Sequence, residues 1–172
     1  MDYKILQSKA IAISRDHSLL ANFAIVLALI TIAPLFQNQI VTGSIVNALL
    51  IISVFLCGFS GAFLLIFIPS MISLFLGLLP SGMMLMIPFI FIGNAILVLN
   101  INAFKNRYWL GAIIGVFAKA AFLFASSYLL LNFFTNGISA KVASSMMGYL
   151  QLLTASVGAI IAYGTLKVLN KI

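Results

Sequence analysis

Lys119 is the one charged residue that falls deep inside an apolar stretch of this chain. About twelve residues of helix precede it, or roughly 18 Å at 1.5 Å per residue, which puts it near the middle of a bilayer. A lysine there costs about 2.5–3.5 kcal/mol on insertion scales. Its side chain cannot reach water from that depth, so it must face the interior of a bundle. Two roles fit: an anion-binding or pocket-gating charge, or a packing lysine bonded to carbonyls and to Asn94 or Ser126. Asn94 lies at a similar depth in the preceding apolar stretch, where its amide can bond Lys119 or a ligand, or join two helices. Asn47, Tyr128, Asn132, Tyr149, Gln151 and Thr154 all fall toward the other ends of their stretches. Convergent polar groups in apolar surroundings are what a ligand pocket needs, although tyrosines also serve as interface anchors. The candidate substrate-binding set is therefore Asn94, Lys119, Tyr128, Asn132, Tyr149 and Gln151. Met83, Met84, Met86, Met146 and Met147 collect on the same side, where thioethers suit an apolar ligand surface or simply face lipid and core.

The chemistry that is missing narrows the function. The only acids, Asp2 and Asp16, lie in the first 16 residues, so no span holds a carboxylate for proton or sodium coupling, or for Mg-dependent transfer. His17 is the only histidine and Cys57 the only cysteine, which argues against a metal site, a disulfide and a redox pair. Gly58-Phe59-Ser60-Gly61 resembles a membrane-protease motif, but no histidine lies in any span to activate Ser60, so it reads as a turn. No P-loop is present. Neither enzymatic activity nor a cofactor is expected, and a chain with no internal energy source is passive, a binder, or a subunit of a larger machine.

The elements that position these residues follow from composition. Of 172 residues, 64% are hydrophobic and 6% charged, which is too little polar surface for a protein folded in water. At about 20 apolar residues per crossing, the chain accommodates six spanning helices. Punctuation residues place them at 19–36, 42–56, 62–79, 83–101, 109–134 and 144–169, the third bent or broken at Pro69. Residues 1–18 read as a short amphipathic surface helix, and 19–172 as the membrane domain. Small-residue patterns at Gly111–Gly115 and Gly158–Ala162 are expected to pack the fifth and sixth spans within the bundle.

Six spans put Lys4, Lys9, Arg15, Lys105, Arg107, Lys167 and Lys171 on one side and only Lys141 on the other. The positive-inside rule then predicts both termini cytoplasmic for an all-α six-helix bundle, and a prokaryotic cell membrane is its expected location. The net charge of +7 follows from this distribution; the cations form no stripe on one face, so nucleic acid is not an expected partner.

Taken together, the size, the six spans, the motif Ala24-Ile-Val-Leu-Ala28 and the segments Gly58-Phe-Ser-Gly-Ala62, Ser73-Leu-Phe-Leu-Gly-Leu-Leu-Pro80 and Pro88-Phe-Ile-Phe-Ile-Gly-Asn94 resemble the S component of an energy-coupling factor (ECF) transporter over about residues 20–168. The resemblance implies a small membrane subunit that captures a vitamin or other micronutrient near its outer face, among spans four to six. It also implies docking, through Ala24 and Ala28, on a transmembrane coupling protein that works with two ABC ATPase subunits. Lys119 and the absence of acids favour an anionic or neutral substrate over a free metal ion. A stand-alone small permease or channel, and a membrane scaffolding protein without ligand, are the alternatives.

Overall fold

An apolar segment in hydrocarbon has no water to pair its peptide groups, so it must close its own hydrogen bonds as a helix. A computed structural model of the protein describes the backbone of residues 3–78, 81–133 and 148–172, and the side chains of 17–78, 84–129 and 148–172. Helix α1 spans Tyr3–Ile32 and passes into a 3-10 turn, Ala33–Phe36. Then follow α2 (Gln39–Leu56), α3 (Gly58–Leu65) and α4 (Ile68–Phe75). A second 3-10 segment, Ser81–Met86, leads into α5 (Ile87–Ala103), α6 (Tyr108–Phe133) and α7 (Tyr149–Val168). Six stretches among the described residues are long and apolar enough to cross a membrane: His17–Phe36, Gln39–Leu56, Gly58–Phe75, Met84–Ala103, Tyr108–Leu129 and Tyr149–Val168. The described residues form an all-α bundle with six stretches of spanning length, an architecture consistent with a multi-pass membrane transport protein.

Local sequence explains the breaks. Asn38 caps α2, its side-chain oxygen accepting from the amides of Ile40 (3.0 Å) and Val41 (3.2 Å). The third span divides into α3 and α4 because Pro69 sits in the first turn of α4, lacking an N–H and crowding the turn before it. The expected turn at 58–61 is shorter than anticipated. Gly58 alone takes a left-handed conformation (φ +74°), and Phe59, Ser60 and Gly61 are already helical. The backbone of α1 is continuous from Tyr3 into the first span. The amphipathic pattern expected of residues 1–18 falls mostly on side chains outside the described residues, as do Asn132, Lys141, Met83, Met146 and Met147.

Helix α2 is the centre of the bundle, with over half of its span buried, and it packs most extensively on α7. Glycine makes that crossing possible: a Cβ on Gly158 would stand 2.7 Å from Asn47 Cβ and 2.9 Å from both the Ala48 nitrogen and the Ser44 carbonyl oxygen. Gly111 and Gly115 let α6 approach α5 in the same way, against Asn100, Ile101 and Leu97. Both small-residue patterns therefore serve packing inside the bundle. The partner of the Gly111–Gly115 pattern is α5, and that of Gly158 is α2.

One end of the bundle is defined by contacts among distant segments. Lys105 Nζ donates to the Val54 carbonyl (3.3 Å) and stands 5.2 Å over the Phe55 ring, covering the C-terminal turn of α2. Asn22 Nδ2 donates to the Leu56 carbonyl (3.4 Å). Tyr108, Trp109 and Tyr163 stack together there, joining the start of α6 to the last turns of α7. Lys105, Arg107, Lys167 and Lys171 all lie at this end or just beyond it.

Candidate functional site

Three helices and the broken span converge on Lys119. Its side chain is 3% exposed, and its ammonium donates to Asn47 Oδ1 from α2 and to Asn94 Oδ1 from α5, the latter at 2.7 Å. Asn94 Nδ2 donates in turn to the Ile66 carbonyl (3.3 Å). That carbonyl lies at the α3–α4 break, where the helix no longer satisfies its own oxygens. The proline break, Asn94 and Lys119 thus form one hydrogen-bonded chain.

The electrostatics of the cluster are lopsided. An ammonium has three donor hydrogens, and two are used here. No acid is available to pair with it, because Asp2 and Asp16 are the only carboxylates in the sequence and neither is in a span. Two neutral amide dipoles hold the charge, which leaves a site rich in donors and suited to an acceptor or an anion.

A cavity of about 90 Å³ opens beside this cluster. Its polar lining is Gln39, Thr42, Asn47, Ser70, Ser73, Asn94, Lys119 and Gln151, with Gly43, Val46, Pro69 and Ile90 completing the wall. A single water needs about 10–15 Å³ on this measure, so the space holds a compact polar group of several atoms. It runs from the Gln39 end of α2 down to Lys119, and so faces away from the end where Lys105 lies.

Of the residues expected to bind substrate, Asn94, Lys119 and Gln151 come together on this cavity. Tyr128 and Tyr149 do not line it; they are 61% and 71% exposed on the outside of the bundle. Helical phase accounts for both. At about 100° per residue, Tyr128 lies roughly half a turn round α6 from Lys119, and Tyr149 lies far round α7 from Gln151. The side chain of Asn132 is outside the described residues. Ala24 and Ala28 are both exposed on α1. Sequence reasoning had not paired Asn47 with Lys119, nor included Ser70 and Ser73. The signal for the serines was present, since polar residues just after a proline inside a span mark backbone that lines a cavity. Among the described residues no group of histidine, cysteine or acidic side chains is arranged to hold a metal.

Compared with known proteins, the chain matches no family model, no curated protein and no solved structure.

Proposed function

We propose that the protein is the substrate-capture subunit, or S component, of an ECF-type importer, and that it binds a small anionic or neutral micronutrient without transforming it. The observation that carries this reading is Lys119: a buried cation with no carboxylate partner, held by two amide oxygens on the wall of a polar cavity. A charge at that depth destabilises insertion, so its retention points to use by a ligand. The gathering of Lys105, Arg107, Lys167 and Lys171 at the opposite end supports an orientation with that end in the cytoplasm and the cavity facing outward. The exposed pair Ala24 and Ala28 leaves a shallow strip on α1 that suits close approach by a coupling protein's helix. Coupling to that protein and two ATPase subunits supplies the energy this chain lacks.

The test is native mass spectrometry of the protein purified from its own membrane in mild detergent. The expected spectrum contains a small molecule released on denaturation, and assemblies with a membrane partner and ATPase subunits. A ligand-free protein that recruits no ATPase, yet supports ATP-independent uptake in vesicles, would overturn the reading in favour of a stand-alone permease.

A further inference from the structure

A second cavity, about 360 Å³, lies at the basic end of the bundle, where α5 gives way to α6. Its lining is split in character. Asn102, Lys105, Asn106 and Arg107 supply amides and two cations, while Phe104 and Leu110 supply apolar surface. Lys105 lines the cavity while its ammonium is anchored on the end of α2, bonded to the Val54 carbonyl and over the Phe55 ring, so Arg107 is the cation free to meet a ligand there. Arg107 is fixed through its backbone: its amide donates to the Phe104 carbonyl (2.8 Å), and its own carbonyl accepts from Leu110 (3.0 Å) and Gly111 (3.2 Å). Its guanidinium is exposed, and among the described residues no acidic side chain pairs with either cation.

The level of this cavity identifies its occupant. Trp109, 45% exposed, lies in the chain between the lining residues Arg107 and Leu110 and packs edge-on against Tyr108 and tilted against Tyr163. Amphipathic aromatic rings of this kind settle at the headgroup level of a bilayer. The ligand that meets the cavity at that level carries a phosphate for Arg107 and a glycerol and acyl body for Phe104 and Leu110. Arginine is suited to such a group because its planar fork matches phosphate oxygens two at a time. The N-terminal end of the 26-residue α6 adds a partial positive charge at the same place. We infer that the groove between the end of α5 and the start of α6 binds the phosphate headgroup of an anionic phospholipid. This inference is independent of the transport reading, since it needs only the membrane-spanning fold.

The experiment uses the full-length protein, delipidated in detergent and titrated with phosphatidylglycerol or phosphatidylcholine, with bound lipid counted by native mass spectrometry and Tm followed in parallel. Phosphatidylglycerol is expected to be retained and to raise Tm, and phosphatidylcholine is not. Arg107→Gln should weaken phosphatidylglycerol retention about fivefold, which is the effect of one interfacial cation. Lys171→Gln, which removes a cation beyond α7 and outside the groove, should leave retention unchanged. Lys105→Gln is the less useful variant because it also uncovers the end of α2. Equal retention of the two lipids, or unchanged retention in Arg107→Gln, overturns the proposal. Inorganic phosphate stabilising the protein as strongly as phosphatidylglycerol overturns it too, in favour of a free-anion site.

Discussion

Replacing Lys119 by methionine removes the ammonium while keeping an unbranched side chain of similar length, and the surroundings allow the consequences to be worked through. Two effects on stability oppose each other. Loss of a midplane cation favours insertion by about 2.5–3.5 kcal/mol. The Asn47 and Asn94 oxygens, which lose their donor, cost about 1–3 kcal/mol each where they stay dry, and less where the adjoining cavity admits water. The two roughly cancel, so the variant is expected to fold and insert with nearly unchanged Tm. Ligand binding has no such compensation. A charge-assisted bond contributes about 1.5–3 kcal/mol, so affinity for an anion should fall about 10- to 150-fold. The assay is Tm against a panel of small carboxylates and inorganic phosphate. At 100 times Kd a ligand stabilises by about 2.7 kcal/mol, and after a hundredfold loss the same concentration contributes only about 0.4 kcal/mol. On the scaling for soluble domains of this size, that is a shift of about 5–10 °C shrinking to about 1 °C. An anion that stabilises Lys119→Met as strongly as the wild type would refute the assignment of Lys119 to the ligand and leave it a packing residue.

Other expectations follow from named contacts. Gly158→Ala places a methyl group against the Ser44 oxygen and Ala48 nitrogen of α2, atoms that cannot rotate away, and should lower stability by about 1–3 kcal/mol in thermal unfolding. Gly164→Ala has nothing within 4 Å of the new carbon and should be neutral or stabilising by up to about 1 kcal/mol; a cost equal to that at Gly158 would contradict the packing described. Tyr108→Phe keeps the ring contacts and removes the hydroxyl that bonds the Ala159 carbonyl, so Tm should fall by the equivalent of about 1 kcal/mol. Ala24→Trp combined with Ala28→Trp sits on an exposed face of α1 and should leave a folded, ligand-binding protein that no longer co-purifies with its coupling subunit. Loss of ligand binding in the same preparation would place that face in the bundle instead. A reporter fused to either terminus should read cytoplasmic, and a tag at Gly137 external; surface labelling of a terminal tag on intact cells would reverse the orientation.

The spans were legible in the sequence because their cause is local. Backbone groups in hydrocarbon must be satisfied within the segment itself, so an apolar run of sufficient length becomes a helix whatever surrounds it. Pro69 broke the third span for an equally local reason, and Asn38 capped the second with its own side chain. Lys119 was legible as inward-facing because depth alone forbids the alternative. The direction in which the other helices face was decided elsewhere. In water a helix declares its buried side by an apolar stripe. Here lipid and core are both apolar, so the pattern carries little information about rotation. Rotation was settled by where helices can approach most closely. Gly158 lets α7 press onto α2, and Gly93 fits α5 against Leu123 of α6. Those approaches turn Asn47 and Asn94 inward together, and Asn47 meets Lys119 from 72 residues away. Tyr128 and Tyr149 look equally suited to a pocket by type and level, yet the same packing turns them to the outside of the bundle. Composition and local chemistry determined that there would be six apolar spans and that Lys119 would be buried; only the fit of small residues between distant helices decided which polar groups would surround it.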